Sequence, residues 1–462
     1  MAIDTIDTAI QEFRTSLRGP LFTPADDGYD EARAIYNAMI DKRPALIAQC
    51  ADVADVIAAV NFGRDSGMDI AVRGGGHNGP GLGTVEGGLV IDLKLMKGIR
   101  VDPEARTVQV QGGCTWSDVD HATHPFGLSV PCGILSSTGV GGLTLGGGLG
   151  HLTRRFGLTI DNLLAADMVL ADGRFVTASP DQHPDLFWAV RGGGGNFGVV
   201  TSFLFQAHPV STVYAGPIFW ELEHAPTVFR YWRDLILSDP EDLGGFFGFH
   251  IVPPGPPFPE EHHMKTMCVV DWCYTGDLAK AEAVFKPIRA VAPLAIDFCG
   301  PIPMPALNSM FDALYPPGLQ WYWNADFFTE VSDEAIERHL QHGSQVPTVN
   351  SAMHLYPING AAHRVGRHDT AWSYREANFA QVIVGVSPDP ADNPRIIQWS
   401  KEYWAALHPY SSGGAYVNMI MEEGQERVQA AYRDNYGRLA AVKAKYDPNN
   451  LFHVNQNIKP AV

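Results

Sequence analysis

Apolar residues recur every three to four positions through Val-Ala-Asp-Val-Ile-Ala-Ala-Val-Asn-Phe-Gly-Arg-Asp-Ser at 53–66, which predicts an amphipathic helix. The short apolar runs that follow, 69–73, 88–92 and 107–111, predict strands, and 115–123 predicts another helix, so residues 46–210 read as an α+β lobe. From about 217 to 410 the texture changes. Trp- and Pro-rich segments there alternate apolar with polar positions, as in 266–272 and 379–386, and mix with helix-like stretches such as 333–342. A helix over 425–444 is predicted to stop at Asp447-Pro448-Asn449-Asn450, ahead of the polar tail Asn455-Gln456-Asn457.

The 462 residues are enough for two or three domains or one two-lobed enzyme. With 45% hydrophobic and 18% charged residues, the chain is too apolar for disorder and too mixed for a fibre or a membrane bundle. Lys and Arg total 33 against 51 Asp and Glu, a formal charge of -18, and no basic run is present to neutralise phosphates, so nucleic acid is not expected as a partner. No apolar run approaches a spanning helix, and Met1-Ala2-Ile3-Asp4 leads into polar sequence; no membrane partner and a cytoplasmic location are expected. Six cysteines (50, 114, 132, 268, 273, 299) are too sparse for a disulfide framework. Cys268 and Cys273 lie near His262 and His263, but no second ligand pair follows and both sit in an apolar, strand-like run. They read as core thiols, and no metal is expected.

Glycine changes the picture. The 47 glycines crowd into 73–88, 112–113, 133–150 and 191–198, where the backbone must turn sharply or press against a ligand. Arg73-Gly74-Gly75-Gly76-His77-Asn78 follows a predicted strand, and its successive amides can form an anion-binding nest for a pyrophosphate. A longer cluster runs from Thr138 to His151. The spacing does not follow the single Gly-x-Gly-x-x-Gly of a Rossmann unit, and no Gly-Lys-Ser/Thr of a Walker loop occurs. Two glycine loops about 60 residues apart suggest a cofactor gripped from two sides. His77 closes the first loop and Cys132 opens the second, although a lone His or Cys is ordinarily a core or surface residue.

Several motifs stand in order along the chain: Arg73-Gly-Gly-Gly-His77 with Asn78; Cys132 ahead of Gly139-Val-Gly-Gly-Leu-Thr-Leu-Gly-Gly-Gly148; Arg155-Phe-Gly-Leu-Thr-Ile-Asp-Asn162; Asp185-Leu-Phe-Trp-Ala-Val-Arg-Gly-Gly-Gly-Gly-Asn-Phe-Gly-Val-Val200; Tyr416-Val-Asn418; and Tyr446-Asp-Pro-Asn-Asn-Leu-Phe452 with Asn455-Gln-Asn-Ile458. From about residue 44 to the end the chain resembles the flavin-linked oxidases of the berberine bridge enzyme type, within the vanillyl-alcohol oxidase superfamily. The resemblance implies an α+β, two-lobed fold: a PCMH-type FAD-binding domain of two α+β subdomains over 1–215 (core about 40–212), a substrate domain with a large antiparallel sheet covered by helices over 216–415, and a C-terminal segment, 416–462, returning to the FAD domain.

It also implies FAD held twice, His77 on the 8α-methyl and Cys132 on C6 of the isoalloxazine, two tethers that tend to raise the flavin's reduction potential. Arg73, Gly74, Gly75, Gly76, Asn78, Thr138, Gly139, Gly141 and Gly142 would meet the pyrophosphate, ribityl chain and ring. Gly198 and Val200 would meet the adenine side, Asn418 and Asn455 the ring or ribityl chain, and Asp161 and Asn162 would brace the second loop. Many relatives end Tyr-x-Asn-Tyr with a tyrosine base, but here Met419 takes that place. Tyr416, sharing a strand face with Asn418, and Tyr374-Arg375, where relatives carry His-Arg, are the substitutes. Trp321, Trp323 and Asn324 resemble the family strand over the substrate.

The expected activity is transfer of hydride from an alcohol-bearing carbon to flavin N5, with oxygen reduced to hydrogen peroxide; the modest Thr138 before Gly139 favours an oxidase. The aromatic, weakly charged second lobe suggests a neutral, hydroxylated or aromatic substrate such as a carbohydrate or secondary metabolite. A flavoprotein binder without turnover, motivated by Met419, and a flavin dehydrogenase with another acceptor are the alternatives; a nicotinamide-driven reductase finds no matching site in the sequence.

Overall fold

The computed structural model describes residues 2–238 and 240–462. A four-stranded sheet in the order Leu21–Phe22, Leu46–Gln49, Leu89–Asp92, Ile70–Arg73 opens the N-terminal lobe, its last three strands parallel. Parallel strands need a crossover, and Val53–Ser66 supplies it. The helix starts where the Asp52 side chain accepts from the amides of Ala54 and Asp55 and stops at left-handed Gly67. A second, antiparallel sheet follows in the order Ile99–Asp102, Thr107–Gln111, Val199–Gln206, Leu163–Val169, Phe175–Ala178.

The other lobe is an antiparallel sheet of eight strands. Its path runs Ile296–Asp297, Thr212–Glu221, Thr266–Tyr274, Leu243–Ile251, Ala352–Pro357, Phe379–Ser387, Gln320–Phe328, with Gly300–Pro303 paired beside Thr212–Glu221. Strand alternation sorts its side chains into two chemistries. Phe247, Phe249, Met353, Leu355 and Ile383 pack under a helical layer that contributes Trp232, Phe285, Ile336 and Trp399. Phe246, Trp321, Tyr356, Val382 and Val384 face the other way and share one core with Val140, Leu145 and Phe203 of the N-terminal lobe. The result is the α+β, two-lobed architecture, with the active cavity between the bare sheet face and the glycine loops.

Most predicted elements fall within two residues of those observed, but 425–444 is two helices rather than one. Gln425–Tyr432 and Tyr436–Tyr446 are separated by a tight turn in which Arg433 has φ 47°. Long-range contacts that helical periodicity does not register fix this break: the Arg433 guanidinium lies 3.6 Å from the Tyr374 ring centre, and the Asn435 side chain donates to the carbonyls of Arg367, Thr370 and Ala371.

Candidate active site

The strand Ile70–Arg73 delivers the first glycine loop, and the helix Val140–Gly146 begins in the second. The two loops meet at Gly75 and Gly139 with no room for a side chain on either. Arg73, buried, is held by Asp92 at 2.8 Å and by the carbonyl of Ala32, so its charge is neutralised within the protein. A cavity of about 310 Å³ opens beside this junction. Gly74, Gly75, Gly76, His77 and Asn78 line it from one side, and Thr138, Gly139, Gly141 and Gly142 from the other. Bare amides on both walls suit an anionic pyrophosphate.

His77 is stacked on Tyr36, ring centres 3.7 Å apart and planes within 16°. Its Nε2 lies 3.2 Å from Ser137 Oγ. Burial pushes the imidazole down to about 4, so it is neutral near pH 7 and keeps a nucleophilic lone pair. Tyr36, which the motif pattern does not mark, is fixed by its own hydroxyl donating to the carbonyl of Tyr315.

At the other end of the cavity the chain's C-terminal tail closes the wall. Lys443 and Asp447 form a fully buried ion pair, and Lys443 also donates to the carbonyls of Asn196 and Phe452. Asn196 in turn donates to Gly193 and Gln456 and accepts from the amide of Ile458. This clasp sets Gly194, Gly195, Gly198, Val200, Tyr432 and Asn455 along the wall. The Tyr432 hydroxyl and Asn455 Oδ1 are buried there without a hydrogen-bond partner among the described residues, as expected of groups that a nucleotide would satisfy.

The large sheet supplies the remaining wall: Trp321, Trp323, His354, Tyr356, Val382 and Val384. His354 and Tyr356 escape motif reading, because their placement depends on strand pairing. His354 Nδ1 lies 2.8 Å from the Tyr356 hydroxyl, and His354 Nε2 lies 2.7 Å from His250 Nε2 on the neighbouring strand.

Comparison with known proteins agrees with this geometry. Residues 44–179 match the family model described as FAD binding domain, and 415–459 match the model for berberine and berberine-like proteins. An FAD-linked oxidoreductase of Dictyostelium discoideum is 31% identical over 98% of this chain and 97% of its own length. The chain belongs to the berberine bridge enzyme-like FAD-linked oxidoreductases. Among other members of the family, (R)-6-hydroxynicotine oxidase of Paenarthrobacter nicotinovorans is 31% identical over 96% of this chain and 97% of its own length. The crystal structure of 6-hydroxy-D-nicotine oxidase from Arthrobacter nicotinovorans superposes with a TM-score of 0.84 at 26% identity, covering 96% of this chain and 99% of that one. This chain is accordingly an FAD-dependent oxidoreductase.

Four of the residues expected from the berberine bridge-type family stand as follows. Cys132 is not on the cavity wall. The residue is buried next to wall residues Gly133 and Ile134, its sulfur accepting from Asn308 Nδ2 at 3.3 Å while Asn308 also donates to Asp120. Burial and the Asp120 carboxyl push the thiol well above its usual range. Tyr374 is also off the wall: its hydroxyl donates to the carbonyl of Ala430 and its ring lies between Phe327 and Arg433. Its neighbour Arg375 forms a buried two-pronged ion pair with Asp161, which in turn accepts from the amide of Leu158.

Tyr416 does reach the wall, in an extended residue just before the turn Val417–Met419 rather than on a strand. Its hydroxyl accepts from the Gly148 amide at 2.9 Å and from Asn418 Nδ2 at 2.8 Å, and donates to the carbonyl of Leu143 at 3.3 Å. Burial raises this phenol, and its hydrogen bonds brace the loop. Asn418 also donates to Gly142, so the pair ties the tail to the second glycine loop. Asn324 faces away from the cavity: Trp321 and Trp323 share one face of their strand, and Asn324, on the other, accepts from Ser400.

Proposed function

We propose that this chain holds FAD through one covalent bond, at His77, and oxidises a neutral aromatic alcohol or amine with oxygen as the electron acceptor. FAD when bound supplies the two-electron sink for the substrate's hydride. In this division residues 1–215 with 416–462 hold the cofactor and 216–415 cover the substrate. With the proton of the neutral ring on Nε2, donated to Ser137 Oγ, the Nδ1 lone pair would be free to form the bond, and the Tyr36 ring fixes the imidazole plane. The loops at Gly74–Gly76 and Gly139–Gly142 would hold the phosphates.

The observation that carries the substrate class is the composition of the sheet wall. Trp321, Trp323, Tyr356, Val382 and Val384, with Tyr315 from the loop beside them, offer ring faces and aliphatic surface, and Arg73, the one Lys, Arg, Asp or Glu among the described wall residues, is paired with Asp92. A carboxylate or phosphate substrate would find no counter-charge, whereas an aromatic ring would stack. The 6-hydroxynicotine oxidase relative is named for an aromatic substrate, and the modest side chain of Thr138 leaves space for oxygen beside Gly139.

The test is anaerobic mixing of the purified yellow protein with a panel of benzylic alcohols, aromatic amines including 6-hydroxynicotine, and oligosaccharides. Bleaching by members of the first two groups, followed by recovery in air with stoichiometric hydrogen peroxide, is expected. Bleaching by oligosaccharides alone, or recovery only with an artificial dye, contradicts the substrate class or the acceptor respectively.

A further inference from the structure

With Met419 in the place of the family's tyrosine base, and with the hydroxyls of Tyr374 and Tyr416 both committed elsewhere, the proton released on oxidation needs another acceptor. The sheet wall holds one. We propose that Tyr356 is the catalytic residue that receives the substrate's proton, and that His354 and His250 form a relay behind it. This rests on the FAD-oxidoreductase reading of the same cavity.

Three features point to this assignment. Tyr356 and His354 are both on the cavity wall, two residues apart on one strand face, with the rings in edge contact at 5.6 Å. The histidine is not an isolated core residue: its two nitrogens are engaged in series, Nδ1 by the Tyr356 hydroxyl at 2.8 Å and Nε2 by His250 Nε2 at 2.7 Å. The sheet is also built around the contact. Gly248 is the register partner of His354, and a Cβ there would lie 3.1 Å from His354 Cδ2 and 3.3 Å from His250 Nε2. His250 is the next-to-last residue of its strand, one position from Ile251.

Burial holds both imidazoles neutral near pH 7. A phenol O–H is a stronger donor than an imidazole N–H, and an imidazole nitrogen a stronger acceptor than a phenol oxygen. The neutral series therefore runs from Tyr356 O–H to His354 Nδ1 and from His354 Nε2–H to His250 Nε2, leaving the lone pairs of Tyr356 turned to the cavity. For an alcohol, bound FAD would supply the acceptor for the hydride from carbon, and the O–H electrons would become the new C=O bond. The hydroxyl proton bonds to Tyr356 Oη as the Tyr356 proton moves to His354 Nδ1 and the His354 Nε2 proton moves to His250 Nε2. The two electrons lost by the substrate would be those that bound FAD accepts, and the released proton would rest on His250 as an imidazolium that solvent discharges.

The deciding experiment is ¹⁵N NMR of the intact, flavin-loaded protein labelled at histidine, with the His354 signals assigned by their loss in His354→Asn. Protonation of His354 at Nε2 with Nδ1 as acceptor is expected; a proton on Nδ1 would make Tyr356 a donor to the substrate and overturn the proposal. In parallel, Tyr356→Phe should keep the flavin on the His77 peptide and slow anaerobic reduction by benzylic alcohols and 6-hydroxynicotine by about 10²–10⁴. His250→Asn, altering a positioning residue, should slow it less and shift the ¹⁵N resonance of His354 Nε2. Reduction of flavin-loaded Tyr356→Phe at the parent rate contradicts the relay and spares the FAD reading, whereas a colourless parent protein would remove that reading itself.

Discussion

Gly75 and Gly139 touch backbone to backbone: a Cβ on Gly75 would sit 2.4 Å from the Gly139 nitrogen, and one on Gly139 2.3 Å from the Gly75 nitrogen. Neither glycine has positive φ, so close approach alone accounts for the residue type. Gly75→Ala or Gly139→Ala should wedge the loops apart at a cost of about 1–3 kcal/mol. Flavin content, read as visible absorbance per mole of protein, should fall; parent-level loading in both variants would show that the junction yields freely.

The two tyrosines expected as bases should behave differently from a base and from each other. Tyr374→Phe removes one hydrogen bond to the carbonyl of Ala430 and should leave flavin reduction at the parent rate. Tyr416→Phe strands the Gly148 amide and the Asn418 side chain, costing about 1–3 kcal/mol. Thermal melts and stopped-flow reduction check both; a loss of several powers of ten in Tyr374→Phe would restore it to the chemistry.

Lys443→Met should leave the Asp447 carboxylate buried with no cation and free the carbonyls of Asn196 and Phe452. Breaking a buried pair by removing one partner costs about 3–5 kcal/mol. The melting temperature should drop, and the adenine end of the cavity should become protease-sensitive around 193–198 and 452–458, as limited proteolysis with mass readout would show.

Asp271, fully buried 3.8 Å from His151, is raised by burial to about 8. The folded state therefore keeps a proton that the unfolded state releases above its ordinary value of 3.8, and stability drains away as pH rises through the window from about 4 to about 8. Asp271→Asn removes that loss. The melting temperature of the variant minus that of the parent should grow from pH 4 to pH 8; a constant difference would mean that Asp271 ionises normally.

How much was legible in the sequence follows from the range of the interactions involved. The helix at 53–66 and the strand at 107–111 are set by local pattern and caps, and they appear where the pattern places them. The glycine loops were legible because glycine is required wherever two backbones meet. Asn324 could have been excluded by strand alternation, since it cannot share a face with both Trp321 and Trp323. The surroundings of Cys132 could not be read in this way: its contact with Asn308 spans 176 residues. The contact between His250 and His354 likewise spans 104 residues and exists only through strand register.

The central claim is that one imidazole alone tethers the flavin. Mass spectrometry of peptides from acid-precipitated protein tests it most directly. The account predicts a yellow pellet, FAD mass on the peptide containing His77, and an unmodified peptide containing Cys132, with the His77→Ala pellet colourless and the Cys132→Ser pellet still yellow. FAD mass shared with the Cys132 peptide, or a colourless pellet from the parent protein, would contradict it.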